Sequence, residues 1–312
     1  LAMEQARKAD EEIGRGNYKG PLHGIPYGLK DLVTVEGYKT TWGAAAYKNQ
    51  ELEGNATVYK KLQDAGAVLV AKLSMGALAM GDVWYEGTTK NPWDMEQGSS
   101  GSSAGSASAT VAGLVGFSLG TETYGSIVSP STRCGATGLR PTFGRVSRAG
   151  TMALSWTMDK IGPICRTAEG CAMVFNTIHG PDQLDLTVKD YPFNYNANAD
   201  VSKLKVGYLK NLFNQEYRAH KNDSIAIEKI RSMGINLQPV TLPDSIPVHP
   251  LLLILEAEAA TAFDKLTRSN RDSLLVAQHR NAWPNIFRKS RFIPAVEYIQ
   301  ANRLRKILSD QI

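Results

Sequence analysis

Two kinds of residue in this chain could do chemistry together: a dense run of hydroxyls between Gly98 and Ser126, and a lysine, Lys30, far upstream. The run opens GSSGSSAGSAS and closes with GTETYGSIVSPS from Gly120 to Ser131. A serine hydroxyl is a poor nucleophile near neutral pH and needs a base within hydrogen-bond reach. Lysine serves only if it is kept neutral, so burial must bring its pKa from roughly 10.4 to about 7 to 8, a cost of roughly 4 kcal/mol. Lys30 follows Leu29, precedes Leu32 and sits at a bend beside Gly28, which makes it the best candidate. Taken alone, a lysine reads more readily as a solvated surface charge.

A Gly/Ser/Ala tract is ordinarily a flexible linker. Here it runs without a break into ATVAGLVGFSLG, whose small and apolar residues read as a buried helix and strand. Trp93 and the Asn91-Pro92 turn just before it also belong to a packed segment. Other serine chemistries fit less well. Gly101 to Gly105 matches G-x-S-x-G, but a nucleophile elbow needs a strand directly before the serine, and Asp94 to Gly98 reads as a polar loop. His179, His220, His249 and His279 have no setting that suggests a triad. No Lys-Ser or Lys-Thr closes a phosphate loop, and Ser202 to Lys205, though it fits S-x-x-K, reads as a strand with solvent-facing lysines.

The elements that would hold these groups alternate helix and strand. Ala2 to Ile13 is an amphipathic helix ended by glycines, and Pro21 to Val35 is a strand entering and leaving a tight bend with Lys30 inside it. Thr57 to Ala65 reads as a helix, Ala67 to Lys72 as a buried strand, and Met75 to Met80 as another helix. Ser103 to Val115 reads as a helix and Phe117 to Thr121 as a strand; Asp159 to Pro163 reads as a turn and Thr167 to Ile178 as a helix. Further on, Leu204 to Leu209 and Ile235 to Leu242 are strands around a helix at Ser224 to Met233. From Pro250 the chain is almost all helix, and no clean domain boundary is visible.

A chain of 312 residues with 43% hydrophobic and 21% charged residues has the composition of a soluble globular protein. The net charge is +5, and the basic cluster from Arg268 to Arg305 lies at helical spacing without aromatic interleaving, which reads as a solvated face and not a nucleic-acid surface. Three cysteines, Cys134, Cys165 and Cys171, suit neither a disulfide framework nor a zinc site. No run approaches membrane-spanning length. The cytoplasm is therefore the default compartment, although a missing leader could direct the protein outward.

In their order, the motifs closely resemble the amidase signature family: GIPYGLKD at Gly24 to Asp31, AGAVLVAKLSM at Ala65 to Met75, NPWD at Asn91 to Asp94, GSSGSSAGSAS, the run from Gly120 to Gly150, and MDKIGPICRT at Met158 to Thr167. The resemblance is strong to about Ile178 and weaker beyond. It implies an α/β fold, a mixed twisted sheet surrounded by helices, in a single domain over 1–312 cut at the C-terminus and conceivably at the N-terminus. It implies a Ser-cisSer-Lys triad with Ser126 as nucleophile, Ser99 as bridging serine after a cis peptide with Gly98, and Lys30 as base. The N-H groups of Thr123, Tyr124, Gly125 and Ser126 would form the oxyanion hole, and the backbone near Ala79 would approach the substrate.

Three positions depart from the family pattern: Glu122 stands where Asp is usual, Tyr124 where Gly is usual and Val128 where Arg is usual. Arg133 is the candidate to replace the lost arginine as partner of Glu122. The implied activity is hydrolysis of a small-molecule amide without metal or cofactor, with no direct nucleic-acid or membrane partner and with a homodimer left open. An A-type subunit of a glutamyl-tRNA amidotransferase and a catalytically silent scaffold are the alternatives.

Overall fold

A computed structural model describes all of residues 1–312, and the chain divides into two compact units. The first comprises residues 1–193 and 254–293; the second comprises 194–253 and 294–312.

The first unit is organised around five strands, β1 (Pro26–Lys30), β2 (Val68–Leu73), β3 (Phe117–Glu122), β4 (Thr137–Gly138) and β5 (Lys160–Cys165), in the order β2-β1-β3-β5-β4. β1 runs parallel to both β2 and β3, while β3 and β4 pair antiparallel with β5, so the sheet is mixed. Tyr27, Leu29, Leu69, Phe117, Leu119 and Ile161 are buried along these strands, as expected where both faces are covered. Tyr27 stacks on Phe117 of the neighbouring strand, with ring centroids 5.1 Å apart.

Helix α1 (Ala2–Gly14) lies against β2, and Gln5 Oε1 accepts the N-H of Leu69 at 2.8 Å. Helix α2 (Thr57–Asp64) presents Val58, Tyr59 and Leu62 to the core. Helix α3 (Ala104–Val111) is made of small residues and packs closely on β3: Ser106 Oγ donates to Leu119 O at 3.0 Å, and Ser118 Oγ donates to Ser106 O at 2.8 Å. That approach needs Gly120, where a Cβ would lie 2.8 Å from Ser103 Oγ and 2.9 Å from Ile164 Cδ1. Helix α4 (Val128–Cys134) packs beside α3, whereas α5 (Ala168–Ile178) packs with α2 in a separate hydrophobic cluster and is capped by Thr167 Oγ1, which accepts the N-H of Gly170 at 3.0 Å.

Four expectations fail here, the first being that Asp94 to Gly98, read as a polar loop, is a strand paired antiparallel with Lys90–Asn91. Lys160–Cys165 is a strand and not a turn, because Gly162 and Pro163 pair with Gly120 and Leu119 of β3. Met75 to Met80 is not a helix but a short 3-10 segment, Ala77–Ala79, with Leu78 and Ala79 at positive φ. The helix on the serine run starts at Ala104 and stops at Val111, shorter than its composition suggests.

Four members of the basic cluster are paired with carboxylates. Arg288 pairs with the buried Asp272 at 2.6 Å, Lys289 with Glu256 at 2.9 Å, and Arg268 and Arg291 both with Asp264. In the second unit, strands Lys205–Tyr208 and Asn236–Pro239 pair in parallel around helix His220–Ser232, and Ser245 Oγ donates to Gln311 of helix Ala295–Gln311 at 3.1 Å. No helix is long and apolar enough to cross a membrane.

Candidate active site

Lys30 ends β1, and the parallel register that sets Leu29 opposite Leu119 brings it beside Thr121 near the end of β3. It is fully buried. Its Nζ lies 2.8 Å from Ser102 Oγ, 2.9 Å from Thr121 Oγ1 and 3.1 Å from Ser103 Oγ. No carboxylate lies within ion-pair distance among these partners, so the loss of water around an ammonium is only partly repaid. Burial therefore pulls Lys30 down to about 7, against the opposing pull of the Asp159 and Glu122 carboxylates.

The two serines at the amine are not equivalent. Ser103 Oγ donates its proton to Thr121 O at 3.1 Å and accepts the Thr121 N-H at 3.1 Å, which fixes it as an acceptor toward Lys30. Ser102 has no such commitment. Its hydroxyl can take up a proton while giving one to a neutral amine. The peptide N-H of Ser103 donates to Ser126 O at 3.1 Å, which ties the Ser102-Ser103 corner directly to Ser126.

The serine expected at the lysine, Ser99, is not the one the structure places there. The cis peptide lies between Gly101 and Ser102, not between Gly98 and Ser99. Ser99 is buried, but its Oγ donates to Ser100 O at 2.9 Å, its N-H donates to Thr89 O at 2.8 Å, and it makes no bond to Lys30. The reason is packing. Ser99 continues a hairpin strand, Asp94–Gly98, whereas Ser102 stands at the entrance to α3, where the chain turns under the sheet. Gly101 makes that turn fit, since a Cβ there would lie 1.7 Å from Gly81 O. Ser102, seen in sequence only inside the G-x-S-x-G match, and Ser103, read as the start of a helix, thus both contact the lysine; a signal was present in Gly101, a second glycine before a serine.

Ser126 is nearly buried and follows Thr123, Tyr124 and Gly125 in the loop after β3, with Gly125 at φ 90°. Glu122 shapes that loop. Its Oε2 accepts the N-H groups of Ile127 at 2.8 Å and Val128 at 2.9 Å, so the carboxylate caps the start of α4 and curls residues 123–126 around itself. Its Oε1 accepts from Arg140 at 3.4 Å. The guanidinium partner of Glu122 is therefore Arg140; Arg133 instead reaches Gln97 Oε1 at 3.4 Å. Tyr124 is exposed, free to touch whatever approaches the loop. Ala79, Leu32, Thr121, Thr123, Asp159 and Lys160 line one small cavity, so of the loop residues Ala79 shares it with Thr123 alone.

The amidase family model matches residues 1–304. The chain belongs to the amidase family. The A-type subunit of the glutamyl-tRNA(Gln) amidotransferase of Carboxydothermus hydrogenoformans is 38% identical over 284 residues, covering 87% of this chain and 59% of that protein. The chain thus spans under two thirds of the length of this curated relative. Among solved structures, the native peptide amidase from Stenotrophomonas maltophilia superposes with a TM-score of 0.82 at 28% identity, covering 97% of this chain and 68% of that one. The A-type subunit of the glutamyl-tRNA(Gln) amidotransferase of Thermotoga maritima superposes with a TM-score of 0.79 at 29% identity, covering 93% and 64%. The mixed sheet wrapped by helices is accordingly the fold of the amidase family. No group of three or more His, Cys, Asp or Glu side chains in it is placed to hold a metal ion.

Proposed function

We propose that this amidase hydrolyses a carboxylic amide through an acyl-enzyme on Ser126, with Ser102 relaying a proton to Lys30. The observation that carries the reading is the lysine itself: fully buried, surrounded by hydroxyls and held near pH 7. A lysine at that value exists as an appreciable neutral fraction at physiological pH.

In the reaction, Ser126 Oγ attacks the amide carbon as its proton passes to Ser102 Oγ and the Ser102 proton passes to Lys30 Nζ. The N-H groups of Thr123 to Ser126 receive the developing oxyanion. Lys30 then returns the proton through Ser102 to the leaving amine, and water, activated by the same relay, resolves the ester. No cofactor is called for by these steps.

A fluorophosphonate probe tests the reading. Labelling that maps to Ser126 and disappears in Ser126→Ala and Lys30→Met supports it, and so does hydrolysis within a panel of linear amides. A folded wild-type protein that neither labels nor hydrolyses any amide favours the scaffold reading.

The second reading, an A-type amidotransferase subunit, is favoured by the names of the curated relatives. There the same relay would release ammonia from an amide donor to a partner's substrate. Copurification of a partner subunit, with amide hydrolysis stimulated by that partner, would select it over a stand-alone hydrolase.

A further inference from the structure

We propose that Asp159 is a positioning residue of this site: its carboxylate fixes Thr123 at the start of the loop that carries Ser126, and from there its charge acts on the base Lys30. The inference deepens the hydrolytic reading above and rests on it.

Asp159 directly precedes β5, and the antiparallel register that pairs Glu122 with Lys160 places it beside Thr123. Its Oδ1 accepts the Thr123 hydroxyl at 2.6 Å, and its Oδ2 accepts the N-H groups of Leu154 at 2.8 Å and Ser155 at 2.9 Å. Ser155 Oγ donates in turn to Glu258 Oε2 at 2.5 Å, and Thr157 Oγ1 donates to Glu258 Oε1 at 2.8 Å. The carboxylate is thus anchored through the Leu154 to Thr157 turn to helix Leu252–Ala262, and the one side chain it holds belongs to the loop that would bind the oxyanion. A buried network with this many bonds tolerates little displacement.

Two carboxylates act on Lys30. Glu122 is engaged by two N-H groups and Arg140, and Asp159 exerts the larger pull. The cations whose charge acts with that of Asp159 are Lys30, Lys160 and Arg148, while burial raises the Asp159 carboxyl above its usual range; Arg148 is itself held by Asp185 at 2.8 Å, and Lys160 donates to Met158 O. Removing the charge at Asp159 would disfavour the ammonium of Lys30. The base would then be neutral at lower pH, and the acid limb of the rate profile would move down.

The test uses the full-length protein with Asp159→Asn, Asp159→Glu and Thr123→Val. The readouts are the pH dependence of kcat/KM on a hydrolysed amide, the pH dependence of fluorophosphonate labelling, and an NMR titration of 13Cε-labelled Lys30 assigned with Lys30→Met. Asp159→Asn is expected to move the limb and the Lys30 titration down by about one pH unit and to lower kcat at least tenfold. Asp159→Glu keeps the limb near its wild-type position while kcat falls. Thr123→Val lowers kcat several-fold with no shift of the limb. An unchanged Lys30 titration in Asp159→Asn overturns the proposal, and so does full kcat in Thr123→Val should Asp159→Asn fail to fold. A wild type that neither hydrolyses nor labels sinks the hydrolytic reading instead, and the NMR titration still decides the effect of Asp159 on Lys30.

Discussion

Lys30 and Lys72 occupy neighbouring strands, one residue out of register, and both are largely buried, yet their surroundings have opposite consequences. Lys72 Nζ pairs with Asp31 Oδ1 at 2.9 Å and bonds Thr40 Oγ1 at 3.0 Å, and Asp31 also accepts the N-H and hydroxyl of Thr41. Burial lowers Lys72 too, but the carboxylate in contact opposes it. Lys30 has three hydroxyls and no contacting carboxylate. A buried lysine becomes a base when its partners can bond it without supplying a counter-charge. A buried lysine with a carboxylate becomes a structural tie.

Exchanging the two roles by mutation gives the sharpest tests. Ser126→Ala and Lys30→Met should each lower kcat/KM by about 10³-fold or more, with far-UV circular dichroism unchanged. Ser102→Ala should cost about 10²-fold, and Ser103→Ala less, because Ser103 only orients the amine. Retained full rate in Ser102→Ala would remove the relay.

Stability should respond in the opposite sense at the two lysines. Lys72→Met leaves Asp31 without its counter-charge and should lower unfolding free energy by about 3 kcal/mol in urea titrations. Lys30→Met removes a poorly solvated cation and should raise stability by about 1–3 kcal/mol at pH 6. The sign follows from linkage. A lysine whose folded pKa is about 7 carries its full penalty below that value, and the penalty fades as pH rises toward the unfolded value of about 10.4. Wild-type stability should therefore climb between about pH 7 and pH 10 relative to Lys30→Met; parallel profiles would show that Lys30 is not depressed. The activity of the wild type should rise through the same pKa, near pH 7, as the base loses its proton. The smallest effect is expected at Ser99→Ala, within about threefold of wild-type rate, because the Ser99 hydroxyl bonds only the adjacent Ser100 O. A large loss there would restore Ser99 as a candidate relay.

Much of the fold was legible. The helices at Ala2–Gly14, Thr57–Asp64 and Ala168–Ile178 and the strands at Val68–Leu73 and Phe117–Glu122 follow from apolar period and stop signals. Strand Lys160–Cys165 was hidden because Gly162 and Pro163 are local turn signals, overridden by pairing with a strand some forty residues earlier. The segment at Met75 to Met80 has helical composition, but Gly76 packs against Gly81 O so closely that a Cβ would lie 1.9 Å away, and the backbone bends instead.

The chemistry divides the same way. By itself the sequence determined the family and singled out Lys30 and Ser126 as the candidate base and nucleophile, because ordered motifs and residue types carry that information along one dimension. Tertiary structure alone decided which serine meets the lysine, which arginine meets Glu122, and that Asp159 stands behind Thr123. Several hydroxyls within a few residues share the same composition and nearly the same spacing. Only strand register and the close approach of α3 to the sheet determine which of them lies 2.8 Å from a buried amine.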